Sequence, residues 1–372
     1  MSYLTMFDLV ESLIVSSFGG PQDAEQRDIR TAIHKAYSEV TTMRDWAYYH
    51  VHGRVVTEAP YGTGTVTVSG QSATLAGGTW PAWAGSGYLK IGEQITRVVS
   101  RTSDSVLVLD ATLPFKADVT SEPFVLYRTV YPLPVDFRNM DEPSDEYNWW
   151  SGVFVTPDQA MKLERVTNSS GTPLHWTIIK DPSSAGWAIK LMGYPTERET
   201  IDLTYRRSAR PIRFSGHEPN SRVGTLTRTG SAVTGAGTAF TASMVGSILR
   251  IGDTATHPGP IESFTPWASE SEITAVGSAT DLTAPSGTVA ATTKYLITDP
   301  IDVPPHMHQA IDSACDYWLA RIRGVKADDA FGMYQRDLRL AMEQDQLAPL
   351  SGRSRNVWHD GGWRSPLQPD NG

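Results

Sequence analysis

The stretch GTVTVSGQSATLAGGTW, residues 64–80, carries no charged side chain, and a close counterpart, GTLTRTGSAVTGAGTAF, stands at residues 224–240. Pairing the two sets Gly64-Thr65 on Gly224-Thr225, Gly70 on Gly230, Gly78-Thr79 on Gly237-Thr238 and Trp80 on Phe240. The likeness continues in LKIG (89–92) against LRIG (249–252), and in FVLY ending at Tyr127 against YLIT starting at Tyr295. Glycine supplies the positive φ of tight hairpins and Thr the branched, half-buried surface of strands, so turn chemistry alone accounts for the recurrence without any ligand. Each copy then reads as one small antiparallel barrel or sandwich of roughly 60 to 80 residues. Two copies fall short of a solenoid, which needs at least about three.

Helical periodicity brackets this β territory. Ile29, Ala32, Ile33, Ala36, Tyr37 and Val40 recur at steps of three and four between Pro21 and Met43, which places one apolar stripe on a helix. The pattern returns in PPHMHQAIDSACDYWLARIRG as Ile311, Ala314, Cys315, Trp318, Leu319 and Ile322, with Gly324 as C-cap. A further helix from Ala327 to about Gln346 presents Phe331, Tyr334, Leu338 and Met342, close enough behind to form an antiparallel hairpin. The opening MSYLTMFDLVESLIVSSFGG reads as an amphipathic helix rather than a signal peptide, because Asp8 and Glu11 interrupt its apolar run and no basic residues precede it. Between the helices, YLKIGEQITRVVS, SVLVLDATL and PFVLYRTVY are short strands. A short helix PDQAMKLERV precedes LHWTIIKD, GWAIKLMGY and TIDLTYRRS, which read as an antiparallel meander.

The fold class is therefore α+β: a helical bundle base built from both chain ends, inserted and duplicated antiparallel β-barrel or sandwich modules, and an extended C-terminal arm. The divisions are 1–50 (helices of the base), 51–130 (first β module), 131–210 (linker plus β meander), 211–300 (second β module), 301–346 (helical hairpin) and 347–372 (arm).

Composition narrows the function. The 372 residues include 32 Lys and Arg against 41 Asp and Glu, a formal charge of -9, which argues against a protein that coats nucleic acid. The single cysteine, Cys315, cannot form an internal disulfide and reads as core filler from a reducing compartment. No phosphate-cradling loop and no G-x-S-x-G elbow is present. His50 with His52, and His306 with His308, lack further ligands at zinc-like spacing, so no metal and no cofactor is expected. Asp141-Glu142 and Asp145-Glu146 belong to a solvated acidic loop, RNMDEPSDEYN, unless two of them are held at the separation glycoside hydrolysis requires. No catalytic residue is assigned. Trp80, Trp83 and Trp267, in or beside the repeated stretches, are either part of the packing or a face for sugar contacts. The final SGRSRNVWHDGGWRSPLQPDNG carries Arg353, Arg355, Trp358, Trp363 and Arg364; Trp and Arg dominate interface hot spots, which points to docking on a partner.

The order of these parts resembles the head-to-tail adaptors of tailed bacteriophages, also called connector, head-completion or tail tubular A-like proteins. Four stretches carry the resemblance: IRTAIHKAYSEV followed by RDWAYY, GTVTV with GGTW and LKIG, YPLPVDFRNM (131–140), and IDVPPHMHQAIDSACDYWLARIRG (301–324). It implies a structural virion protein, made in the host bacterial cytoplasm, without enzymatic activity. Such a protein forms a homo-oligomeric ring, usually dodecameric, under the portal protein. Its helices, with Ile29, Ile33, Tyr37, Ile311, Trp318, Leu319 and Ile322 in their core, line the channel for genomic DNA that passes without sequence-specific binding. It implies that the arm around Trp358 and Trp363 reaches the portal, and that the β modules receive tail nozzle, tail tube or fibre proteins. No membrane contact is implied. The alternative is a tail fibre or baseplate receptor-binding protein whose β modules take glycans.

Overall fold

A computed structural model of the chain describes residues 3–16, 23–140, 153–164, 175–181, 186–261 and 267–346. It is a mixed α+β protein with several antiparallel sheets, one of them a curled half-barrel, and helices at the C-terminal end. The chain divides into two compact units, one formed by residues 1–49 together with 209–372 and the other by residues 50–208. Among the described residues the α-helices are α1 (Met6–Ser16), α2 (Asp23–Thr42), α3 (Pro157–Glu164), α4 (Pro219–Arg222), α5 (His308–Ile322) and α6 (Asp328–Gln346).

Four of these helices share one core in the first unit. Met6, Leu9, Val10 and Leu13 of α1 join Ile29, Ala32, Ile33, Ala36 and Val40 of α2. From the far end of the chain come Ala310, Ile311, Ala314, Cys315 and Leu319 of α5 and Tyr334, Leu338 and Ala341 of α6. The three-and-four spacing puts each set on one helix face, and burying these faces together is what holds short helices that would be marginal alone in water. Trp46 caps the cluster, fully buried, with Nε1 donating to the Val40 carbonyl at 2.8 Å.

The second unit opens with β1 (His50–Val56), β2 (Thr65–Ser69), β3 (Ser72–Ala76), β4 (Tyr88–Ile91), β5 (Gln94–Arg101), β6 (Val106–Leu109), β7 (Val119–Glu122) and β8 (Val125–Tyr127). It continues with β9 (Val130–Pro132), β10 (Phe137–Met140), β11 (Val153–Phe154), β12 (His175–Lys180), β13 (Trp187–Met192) and β14 (Thr200–Arg207). Seven of them form the curled sheet in the order β7-β2-β3-β6-β5-β4-β8. Alternate residues point inward, so Val66, Val68, Ala73, Leu75, Leu89, Ile91, Leu107 and Leu109 make its core with Trp80, Phe124 and Leu126.

The remaining strands correct the expected meander. β12 and β13 do pair antiparallel, from His175 opposite Met192 to Lys180 opposite Trp187, within a sheet ordered β11-β12-β13-β9. The third stretch, β14, leaves that sheet and lies between β1 and β10, with Val51 opposite Tyr205 and Val55 opposite Ile201. Gly193 (φ +101) and Pro195 turn the chain out of the ladder after β13, since Pro has no amide hydrogen to continue it. Tyr131, Trp176, Ile189, Leu191, Leu203 and Tyr205 form the core between the two sheets.

The first unit holds the other strands: β15 (Thr225–Ala236), β16 (Ile248–Ile251), β17 (Ser269–Glu272), β18 (Ala275–Val276), β19 (Asp281–Thr293) and β20 (Tyr295–Thr298). They make two small sheets, β15-β19-β18 and β17-β16-β20, around Leu226, Val233, Phe240, Met244, Leu249, Ile251, Ile273, Tyr295 and Ile297. Residues 211–300 thus belong to the same compact unit as the helices.

Candidate functional site

The densest charged constellation lies where α1 meets the β17-β16-β20 sheet. Leu249 and Ile251 face the core enclosed by the two small sheets, so the pleat turns Ile248 and Arg250 to the opposite face. There the Arg250 side chain is completely buried. Its Nη1 and Nη2 donate to Asp8 Oδ1 at 2.7 Å and Oδ2 at 2.8 Å, Nε to Glu270 Oε1 at 2.9 Å, and Nη2 also to the Tyr3 carbonyl at 3.0 Å. The Trp267 ring covers the guanidinium at 3.9 Å. Asp8 in turn accepts from Thr5 N and Thr5 Oγ1 at the start of α1 and from the Ile261 amide. A bidentate arginine with four hydrogen bonds of this kind fixes orientation as well as charge.

Two further carboxylates tie the loop before β15 into the same unit. Asp299 accepts from the Phe214 amide at 2.9 Å and, through the other oxygen, from Ser247 Oγ at 2.5 Å. Glu218 accepts from Ser215 N at 3.0 Å, Ser215 Oγ at 2.8 Å and Gly216 N at 3.0 Å, and faces Arg30 at 3.3 Å. Burial pushes the Glu218 pKa up, but its backbone and Ser215 hydrogen bonds, with Arg30, outweigh that and hold it below the ordinary value of 4.5. The unfolded chain therefore takes up this proton first. Its contribution is full above pH 4.5 and is lost as pH falls through the lower folded value. Glu218→Gln is expected to cost about 1–2 kcal/mol at pH 7 and to flatten the stability profile below the ordinary carboxylate range, as read by denaturant titrations at several pH values.

The sequence-assigned residues fall into three groups. Ile29, Ile33, Tyr37, Ile311 and Leu319 are buried in the helical core, with Trp318 and Ile322 packed against its margin. Tyr37 Oη donates to the Arg210 carbonyl at 2.8 Å and Trp318 Nε1 to Glu39 at 2.6 Å. Of the aromatic group, Trp80 is 1% exposed and edge-on to Phe124, so it offers no ring face to a sugar or fibre: this corrects the reading of Trp80 as a contact residue. Trp83 is half-buried against the same core, and Trp267 is half-buried over Arg250. The arm residues Arg353, Arg355, Trp358, Trp363 and Arg364 lie outside the described residues, as do Asp141, Glu142, Asp145 and Glu146.

Among the described residues no group of three or more His, Cys, Asp or Glu side chains is arranged to hold a metal ion. His52 Nδ1 meets Thr204 Oγ1 at 3.2 Å, and His306 faces Asp345 at 4.0 Å. Cys315 is fully buried on α5, and burial together with Asp312 and Asp316 raises its thiol pKa well above normal. It is expected to resist iodoacetamide in the native protein and to be labelled within minutes in denaturant, as followed by intact mass. No helix among the described residues is long and apolar enough to cross a membrane.

Sequence reasoning met Asp8 and Arg250 separately and missed their pairing, and it passed over Glu270, Asp299 and Glu218. The one available signal was the arginine of LRIG standing where LKIG has Lys90. No protein-family model matches the chain, and no curated protein or solved structure matches it either.

Proposed function

We propose that this protein is a structural head-to-tail adaptor of a tailed phage, a ring subunit whose helical base joins the portal and whose β modules meet tail or fibre components. The observation that supports this best is the core shared by α1 and α2 with α5 and α6. The two chain ends close on each other, and both β regions are inserted between base helices rather than strung beside them. The net charge of -9 suits a channel wall along which DNA must slide without sticking.

The same proposal holds that one β module is present twice, at an offset of 160 residues from Gly64 against Gly224 to Gly92 against Gly252, with a longer connection in the second copy before its last strand. Gly64 (φ +91) and Gly224 (φ +83) share a left-handed conformation, and a β-carbon on either would sit 2.2 or 2.4 Å from the carbonyl of Ala76 or Ala236. Only glycine fits there, which is why both stretches begin with Gly-Thr. The facing residues are Gly77 and Gly237, so Gly77 rather than Gly78 is the counterpart of Gly237. The strand orders β5-β4-β8 and β17-β16-β20 correspond, with Leu89 opposite Leu126 and Leu249 opposite Ile297. Even the buried aromatic pair recurs: Trp80 on Phe124 at 5.0 Å and 64°, Phe240 on Tyr295 at 5.7 Å and 67°.

The test is native mass spectrometry or electron microscopy of the full chain with and without its portal. A monomer that becomes a closed ring of about twelve on the portal is expected, and a stable trimer indifferent to the portal would overturn the proposal. Truncation after Gln346, which leaves the shared helical core intact, is expected to preserve the far-UV spectrum and abolish portal capture.

A further inference from the structure

Arg228 is buried where its module should hold hydrocarbon. At the 160-residue offset its counterpart is Val68, 1% exposed in an apolar core against which Phe115 packs. Arg228 is equally buried, at 1%. Its Nε donates to the Gly230 carbonyl at 3.3 Å, and Nη1 donates to Ser269 Oγ at 3.1 Å and Ser271 Oγ at 3.2 Å. Among the described residues Nη2 has no acceptor and no carboxylate pairs with this guanidinium. Burial alone lowers its pKa. A buried cation with neutral partners is costly, and apolar filling of the same volume would be cheaper.

The donors around Arg228 outnumber the acceptors. Both serine hydroxyls accept from Nη1, so each hydroxyl keeps a hydrogen of its own to give, beside the two N–H groups of Nη2. Ser269 and Ser271 lie two apart on β17 and so share a face, with Ser269 half-exposed at the rim. Gly287 flanks the guanidinium so closely that a β-carbon there would lie 2.9 Å from Arg228 Cζ. Convergent O–H and N–H donors around an uncompensated positive charge are the chemistry of an anion receptor.

We infer that Arg228, Ser269 and Ser271 form an oxyanion-binding site at one end of the second β module, taking a phosphate or a carboxylate on Arg228 Nη2 and the two hydroxyls. The first module, with Val68 in that place, has no such site. The function of this site is separate from ring formation, so it stands or falls independently of the adaptor proposal.

The experiment is thermal melting of the full chain in rising inorganic phosphate, with ionic strength held constant by sodium chloride, and in parallel with sodium acetate. In phosphate, acetate or both, the melting of the unit containing residues 209–346 is expected to rise by about 3 °C over the chloride control. The larger of the two shifts tells a tetrahedral phosphate from a planar carboxylate. Arg228→Met is expected to melt higher than the parent in chloride and to lose the anion response. Ser269→Ala with Ser271→Ala keeps the arginine and is expected to lose most of the response while folding normally. Shifts no larger than in chloride, or an undiminished response in either variant, would overturn the site.

Discussion

Arg250→Met is expected to lower the stability of the first unit by about 3–5 kcal/mol at pH 7, because the methionine fills the volume but leaves two buried carboxylates without their cation. Asp8 and Glu270 have side chains only 3% and 8% exposed, and both lie within 2.9 Å of the Arg250 guanidinium. Surface ion pairs rarely reach 1 kcal/mol, so the size of the loss is itself diagnostic of burial. Denaturant titration at pH 7 checks the size of the loss. A double variant, Arg250→Met with Asp8→Asn, is expected to regain part of the loss, since replacing both partners of a buried pair is milder than removing one. A loss under about 1 kcal/mol would mean that the contact between α1 and the sheet does not depend on this charge.

That contact shows where sequence reading stops. Ile29, Ile33 and Tyr37 announce a helix because the 3.6-residue period is a local property of consecutive residues, and the stripe of α5 is legible in the same way. Asp8 and Arg250 stand 242 positions apart, and nothing local to either names the other. The strands follow the same rule. Period two identifies β12, β13 and β14, yet alternation says which residues share a face and not which strand lies alongside, so β14 was expected beside β13 and instead pairs with β1. The repeated glycines were legible as turns because their conformation is exacted by backbone geometry, whereas the one-residue slip between Gly77 and Gly78 required the facing glycines to be seen together. Arg228 is the reverse case. As one arginine among Thr and Gly on a strand it reads as an exposed side chain, and only the pleat shows that it points inward.

Trp80→Ala is expected to lower the stability of the second unit by about 3–5 kcal/mol, the cost of removing a large buried aromatic from a core that can only partly collapse. Trp80 is 1% exposed, packs edge-on to Phe124 at 5.0 Å, and has Tyr61 at 6.1 Å on another side. Its backbone is tied independently, with its amide donating to the Asp104 carbonyl at 2.8 Å and its carbonyl accepting from Arg101 Nε at 3.2 Å. The loop geometry should thus survive while the core behind it loosens. In calorimetry of the full chain the effect is expected in the transition of residues 50–208 alone, lowered by about 10 °C, because the Trp80 cluster belongs to that unit and each unit has its own core. Limited proteolysis assigns the transition, since new cleavage sites should fall between His50 and Ser208. A tryptophan displayed for a sugar or a fibre would behave in the opposite way, its removal leaving both transitions in place and weakening only the ligand. The two readings of one residue therefore separate on stability, before any partner is known.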